Sequence, residues 1–131
     1  MKYFDKKAEL ELKNIAVTNN EKLLVYPGAC RYNSRCHHNA VHEAIENGHN
    51  RVAATFCLEG DTPVIHFINI DNNGKYTDNT FGHWAKKFDY YLIKFIEKED
   101  FFSISAEFRK IHKEVYGKLK PLTRFFSNIE F

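Results

Sequence analysis

The chain has 131 residues, of which 44% are hydrophobic and 15% aromatic, and its formal net charge is +2 at pH 7. That is long enough for one domain, 1–131, to bury a core without staples, too apolar for a disordered chain, and too weakly charged to point to nucleic acid. No apolar run reaches the length of a membrane-spanning helix, and the charged start Met1-Lys-Tyr-Phe-Asp-Lys-Lys7 lacks the apolar core of a signal peptide, so a cytoplasmic protein without a membrane partner is expected.

In chain order, residues 3–14 predict an amphipathic helix with Phe4, Ala8, Leu10 and Leu12 partly buried, broken by Asn19-Asn20. Leu23-Leu-Val-Tyr26 predicts a short strand stopped by Pro27-Gly28, and residues 29–35 a loop. A helix is expected from about 36 to 47, with Ala40, Val41, Ala44 and Ile45 on one face and Gly48 at its C-terminal cap. Arg51–Leu58 is β-rich without clean alternation, which suits a strand buried on both faces. Gly60-Asp-Thr-Pro63 turns the chain. Val64–Asp71 and Lys75–Asp78 then predict a hairpin around Asn72-Asn-Gly74. Asp89–Ile96 reads as a further strand, with Phe88, Tyr90, Leu92 and Phe95 packing. Ser103 or Ser105 is placed to cap a helix running to about Lys120 and stopped by Pro121. The class expected is α+β: a small antiparallel sheet, a core helix opening on Cys36, and a long C-terminal helix.

Three residues carry the chemistry. Cys36 opens the predicted helix, His66 sits in an apolar strand, and Asp78 ends the next strand. A helix N-terminus stabilises a thiolate. An imidazole takes the thiol proton and returns it to a leaving group, and a carboxylate on the far ring nitrogen fixes the tautomer. Cys36, His66 and Asp78 therefore read as nucleophile, general base and acid, and orienting acid. The Cys36 backbone N–H is a candidate oxyanion donor. Asn33 or Tyr32, in the loop before the helix, is a candidate second donor, and His37 a candidate pocket residue.

These stretches resemble a minimal transglutaminase-like or papain-like cysteine fold. Cys36 matches the residue that opens that family's core helix, and Gly48-His-Asn-Arg51-Val52 the passage into its first core strand. His66-Phe-Ile is similar to the histidine strand, and Gly74-Lys-Tyr-Thr-Asp78-Asn-Thr80 to the stretch ending in the catalytic Asp. The resemblance covers residues 33 to about 82. It implies thioester chemistry on an amide or acyl bond: proteolysis, deamidation, amide transfer or acyl transfer. A protein or peptide amide is the substrate then expected, with no cofactor.

Plainer readings stand beside these. A lone cysteine is usually packing, a histidine on an apolar strand is usually a satisfied core residue, and Asp-x-Thr often caps a turn. The polar surroundings of Cys36, Asn-Ser-Arg-Cys-His-His-Asn, favour the functional reading. Cys57, in a β run, reads as core, and Cys30, in a loop, lacks a helix behind it. Three cysteines without repeated spacing fit a reducing compartment. His38 and His42 are four apart on one helix face, as zinc ligands are, but there is no His-Glu-x-x-His or Cys-x-x-Cys, and no metal is expected. Arg109–Arg124 holds six Lys or Arg against one Glu, a pattern that usually marks a solvated helix face. Richness in Asn, Lys, Phe, Tyr and Ile fits an AT-rich genome, a hint of a phage or other mobile-element source that identifies no function. The competing class is a non-enzymatic inhibitor or binding protein of the same fold that targets a host protein. The two part on whether Cys36, His66 and Asp78 converge with the thiol accessible or leave it sealed in the core. The sequence carries no signal for oligomeric state.

Overall fold

A computed structural model describes residues 3–31 and 35–126. Helix α1 runs Tyr3–Asn19. Ala8, Leu12 and Ala16 are wholly buried, because a spacing of four stacks them in one stripe. Leu10 is exposed, contrary to expectation, since a residue two positions from Leu12 lies on the opposite side. The helix continues past residue 14 to Asn19. Asn20 then ties its exit to the sheet by donating from Nδ2 to the Leu92 carbonyl, 2.6 Å away.

The strands are β1 Lys22–Leu23, β2 Val25–Pro27, β3 Arg51–Glu59, β4 Thr62–Ile70, β5 Tyr76–Asp78 and β6 Asp89–Glu97. Their order in the sheet is β1-β6-β3-β4-β5-β2. β1 and β2 form its two ends, yet only Leu24 separates them in sequence. At a rise of about 3.3 Å per residue the two ends cannot lie far apart, so the sheet curls nearly closed.

The expected antiparallel sheet is corrected to a mixed one: β2 pairs with β5 in parallel, Pro27 opposite Asp78. The other described pairings are antiparallel. The curl supplies the reason. β1 and β2 act as one kinked strand in a ring of five positions, and strict alternation of direction cannot close on an odd number.

The α+β class stands, and the core lies on both sides of β3, as its sequence suggests. Val52, Ala54, Phe56 and Leu58 pack toward α1, α2 (Cys36–Glu46) and α3 (Ile104–Tyr116). Ala53 and Cys57 face the inside of the curl with Leu23, Ile68 and Tyr90. α2 buries Ala40, Val41 and Ala44, while Ile45 is exposed. Gly48 takes φ of 68° just past the helix, the left-handed cap that glycine favours.

The β4–β5 hairpin turns through Asp71–Lys75. The Asp71 carboxylate accepts the backbone N–H of Asn73 and of Lys75, each at 2.9 Å. A 3-10 turn, Gly82–Lys87, leads into β6, and another, Lys98–Ser103, leads into α3. α3 ends at Tyr116 rather than near Lys120. Pro121 opens α4 (Pro121–Phe126) instead of stopping α3, since the first helical position is where proline's missing N–H costs nothing.

Candidate active site

α2 packs on β4, and a set of buried amides fixes where its N-terminus falls. Asn69 of β4 donates to the Ala40 carbonyl at 2.7 Å and accepts from Asn79 at 2.9 Å. Asn79 in turn accepts the Ala29 N–H, and Asn39 of α2 donates to the Thr80 hydroxyl at 2.9 Å. Helix, histidine strand and the segment after Asp78 are thereby held together by polar groups that burial leaves no alternative partners.

β5 pairs with β4 only at Asn69 and Ile70. The edge of β4 at His66–Phe67 lies outside that pairing, and there the start of α2 meets it: the His66 ring and the Phe67 backbone N–H both act on the Cys36 thiol and lower its pKa. Cys36 is part-exposed. Cys36 is the first residue of α2, so its sulfur lies at the positive end of the helix.

His66 is 2% exposed. Its Nε2 lies 2.9 Å from Asp78 Oδ2, which leaves Nδ1 for Cys36. The Phe81 ring stacks on the imidazole, centroids 4.1 Å apart and planes 2° from parallel, which fixes the ring's tilt. Asp78 is wholly buried and accepts four hydrogen bonds. Oδ1 takes the backbone N–H of Thr80 and Phe81, at 2.9 and 2.8 Å, and Oδ2 takes His66 and the Tyr90 hydroxyl, the latter at 2.5 Å.

These contacts set the charge states. Burial pushes the Cys36 thiol up, but hydrogen bonds from His37 and His66 outweigh it and bring its pKa down to about 6. Burial opposes a charged His66, yet the bonds to Asp78 and Cys36 raise it to about 9. Burial likewise works against the Asp78 carboxylate, and His66, Tyr90 and the Phe81 N–H overcome it, so it stays ionised. All three shifts run in the direction that favours a thiolate, an imidazolium and a carboxylate side by side.

Of the residues singled out in the sequence, Cys36, His66 and Asp78 are thus brought together. His37 lies beside the sulfur and stacks on Phe108 of α3, centroids 4.8 Å apart. Tyr32 and Asn33 lie outside the described residues. Cys57 is buried, and burial followed by the charge of Asp78 pushes its thiol far up, so it is a neutral packing group. Cys30 forms an isolated bridge with Phe81. His38 approaches Ser105, and His42 pairs with Glu46 at 3.1 Å. Among the described residues no group of three or more His, Cys, Asp or Glu side chains is placed to hold a metal ion, and no helix is long and apolar enough to cross a membrane.

Sequence reasoning missed Phe81 and the role of Tyr90. Phe81 had one signal, its place three residues after Asp78. Tyr90 had none beyond a phenol on an apolar strand. Against family models, curated proteins and solved structures, the chain has no match.

Proposed function

We propose that the protein is a cysteine-dependent hydrolase or acyl or amide transferase that works through a thioester on Cys36. The observation that carries this reading is a buried histidine bonded to a buried carboxylate at 2.9 Å, beside a part-exposed thiol at a helix N-terminus whose pKa that histidine lowers. A core histidine needs only one partner to be satisfied; this one has an acid on Nε2 and a thiol close enough to raise its pKa.

The Cys36 thiolate attacks the carbonyl carbon and forms the C–S bond. The oxygen charge that develops meets the Cys36 backbone N–H at the helix start. As the bond to the leaving amine or alcohol breaks, His66 delivers the proton that the thiol gave it. Water or an acceptor amine then attacks the thioester, His66 takes that nucleophile's proton, and the acyl product leaves a thiolate behind. Asp78 keeps the imidazolium stable throughout and remains ionised. A protein or peptide amide is the substrate class that the resemblance to transglutaminase-like and papain-like enzymes implies.

The test is alkylation of the folded protein by iodoacetamide, followed by intact mass and peptide mapping. Near neutral pH Cys36 reacts well before Cys30 and Cys57, its rate rises with pH around a midpoint near 6, and His66→Ala slows it. An activated acyl ester then leaves a thioester mass on Cys36. Equal rates at all three cysteines would count decisively against the reading.

A further inference from the structure

Tyr90 is 1% exposed and its hydroxyl lies 2.5 Å from Asp78 Oδ2, the same oxygen that faces His66. It reaches this point from β6, where it pairs with Cys57 of β3. The inward curl of the sheet brings the end of β5 within its reach. Burial and the charge of Asp78 push the phenol far up, so it keeps its proton and stays a donor. That one proton goes to Asp78, and the Cys57 thiol that lies beside the phenol is itself neutral. From His66 through Asp78 the network thus reaches Tyr90 and ends in the core.

We propose that Tyr90 is a positioning residue of this site, whose hydroxyl holds Asp78 Oδ2 against His66 and moderates the carboxylate's hold on the imidazolium proton. The proposal rests on the thioester reading of Cys36, His66 and Asp78. Oδ1 is already fixed by two backbone N–H groups, so Tyr90 is not needed to place the carboxyl group as a whole. Its effect falls on Oδ2. A donor there spreads the negative charge and weakens the attraction felt by the second donor, His66 Nε2–H. An imidazolium held too strongly returns its proton too slowly to a leaving group. Tyr90 keeps that grip in range.

The experiment is an NMR titration of the His66 ring in Tyr90→Phe, which retains the ring volume and its contact with Phe88. The His66 midpoint moves to higher pH by roughly half a pH unit or more. In an Asp78→Asn background the same substitution leaves the midpoint unmoved, because Tyr90 acts only through the carboxylate. An unmoved midpoint in folded Tyr90→Phe, or an equal change in the Asp78→Asn background, overturns the proposal. Should Tyr90→Phe fail to fold, replacement of tyrosine by 3-fluorotyrosine gives a more acidic phenol and a stronger donor. The His66 midpoint then falls, and constancy overturns the proposal. The titration needs no substrate and no reactive thiol. An inert Cys36 beside an intact Tyr90 effect would sink the thioester reading alone, whereas a reactive Cys36 without the effect would sink only the role of Tyr90.

Discussion

Asparagine at position 78 would keep the shape of the carboxyl group and reverse its hydrogen bonding on one side. Its carbonyl oxygen can still accept the Thr80 and Phe81 N–H groups. Its NH2 then faces His66 Nε2, which must become an acceptor, so the ring turns neutral with its proton on Nδ1 toward the sulfur. Such a ring cannot take the thiol proton. For Asp78→Asn we predict that the Cys36 thiol returns toward its ordinary value of 9.0 and that alkylation at pH 7 slows by about tenfold or more. Stability falls by roughly 1–3 kcal/mol as charge-assisted bonds to His66 and Tyr90 are lost. If Asp78 only caps its turn through Oδ1, melting temperature alone changes and alkylation survives. Cys36, His66 and Asp78 were legible because each departs from its local pattern: a thiol in a polar run, an imidazole in an apolar strand, an acid after a hairpin. Tyr90 and Phe81 do not depart from theirs. Nor could the amide set be read, since Asn39 meets Thr80 across 41 residues and Asn69 meets Ala40 across 29.

At the scale of elements, the parallel β2–β5 pair places Asp78, and Gly28 lets that pair close. Its N–H bonds to the Asp78 carbonyl at 3.0 Å, and a Cβ there would lie 2.2 Å from Asn79 Oδ1 and 2.8 Å from the Asp78 carbonyl oxygen. For Gly28→Ala we predict a loss of ~1–3 kcal/mol, as for other overpacked sites, together with slower Cys36 alkylation as β5 is pushed from His66. Gly74→Ala is the control. Its φ is 81° and nothing lies within 4 Å of its Cβ, so it costs about 1 kcal/mol of backbone strain and spares the site. Unchanged reactivity in a destabilised Gly28→Ala would show that β2 does not set the position of Asp78. The same contrast separates what the sequence discloses about elements. The hairpin was readable from Asn72-Asn-Gly74 because turn chemistry is local. The closure by β1 and β2 was not: with two and three residues these strands carry no period, and their partners lie far along the chain.

The whole molecule feels the site through pH. His66 is raised from 6.5 to about 9 on folding. Alone it contributes stability that is fully present below 6.5 and lost as pH rises through about 9. Cys36 is lowered from 9.0 to about 6, so its contribution is present above 9.0 and lost as pH falls through about 6. Between these limits the folded pair is thiolate and imidazolium, while the unfolded pair is thiol and neutral imidazole. Each state binds one proton, so the two slopes cancel and the pair adds no pH dependence over roughly pH 6.5–8.5. Cys36→Ser removes one half. His66, still raised by Asp78, then stands alone, and the unfolded state binds fewer protons than the folded one. We predict that the stability of Cys36→Ser falls with pH above 6.5, at up to roughly 1.4 kcal/mol per pH unit, until its own His66 titrates. The wild-type protein stays nearly flat over the same interval. Chemical denaturation of both proteins at half-unit steps from pH 6.5 to 8.5 measures the difference. Parallel curves would mean that folding moves no proton from Cys36 to His66, and the thiol would then be neutral at rest.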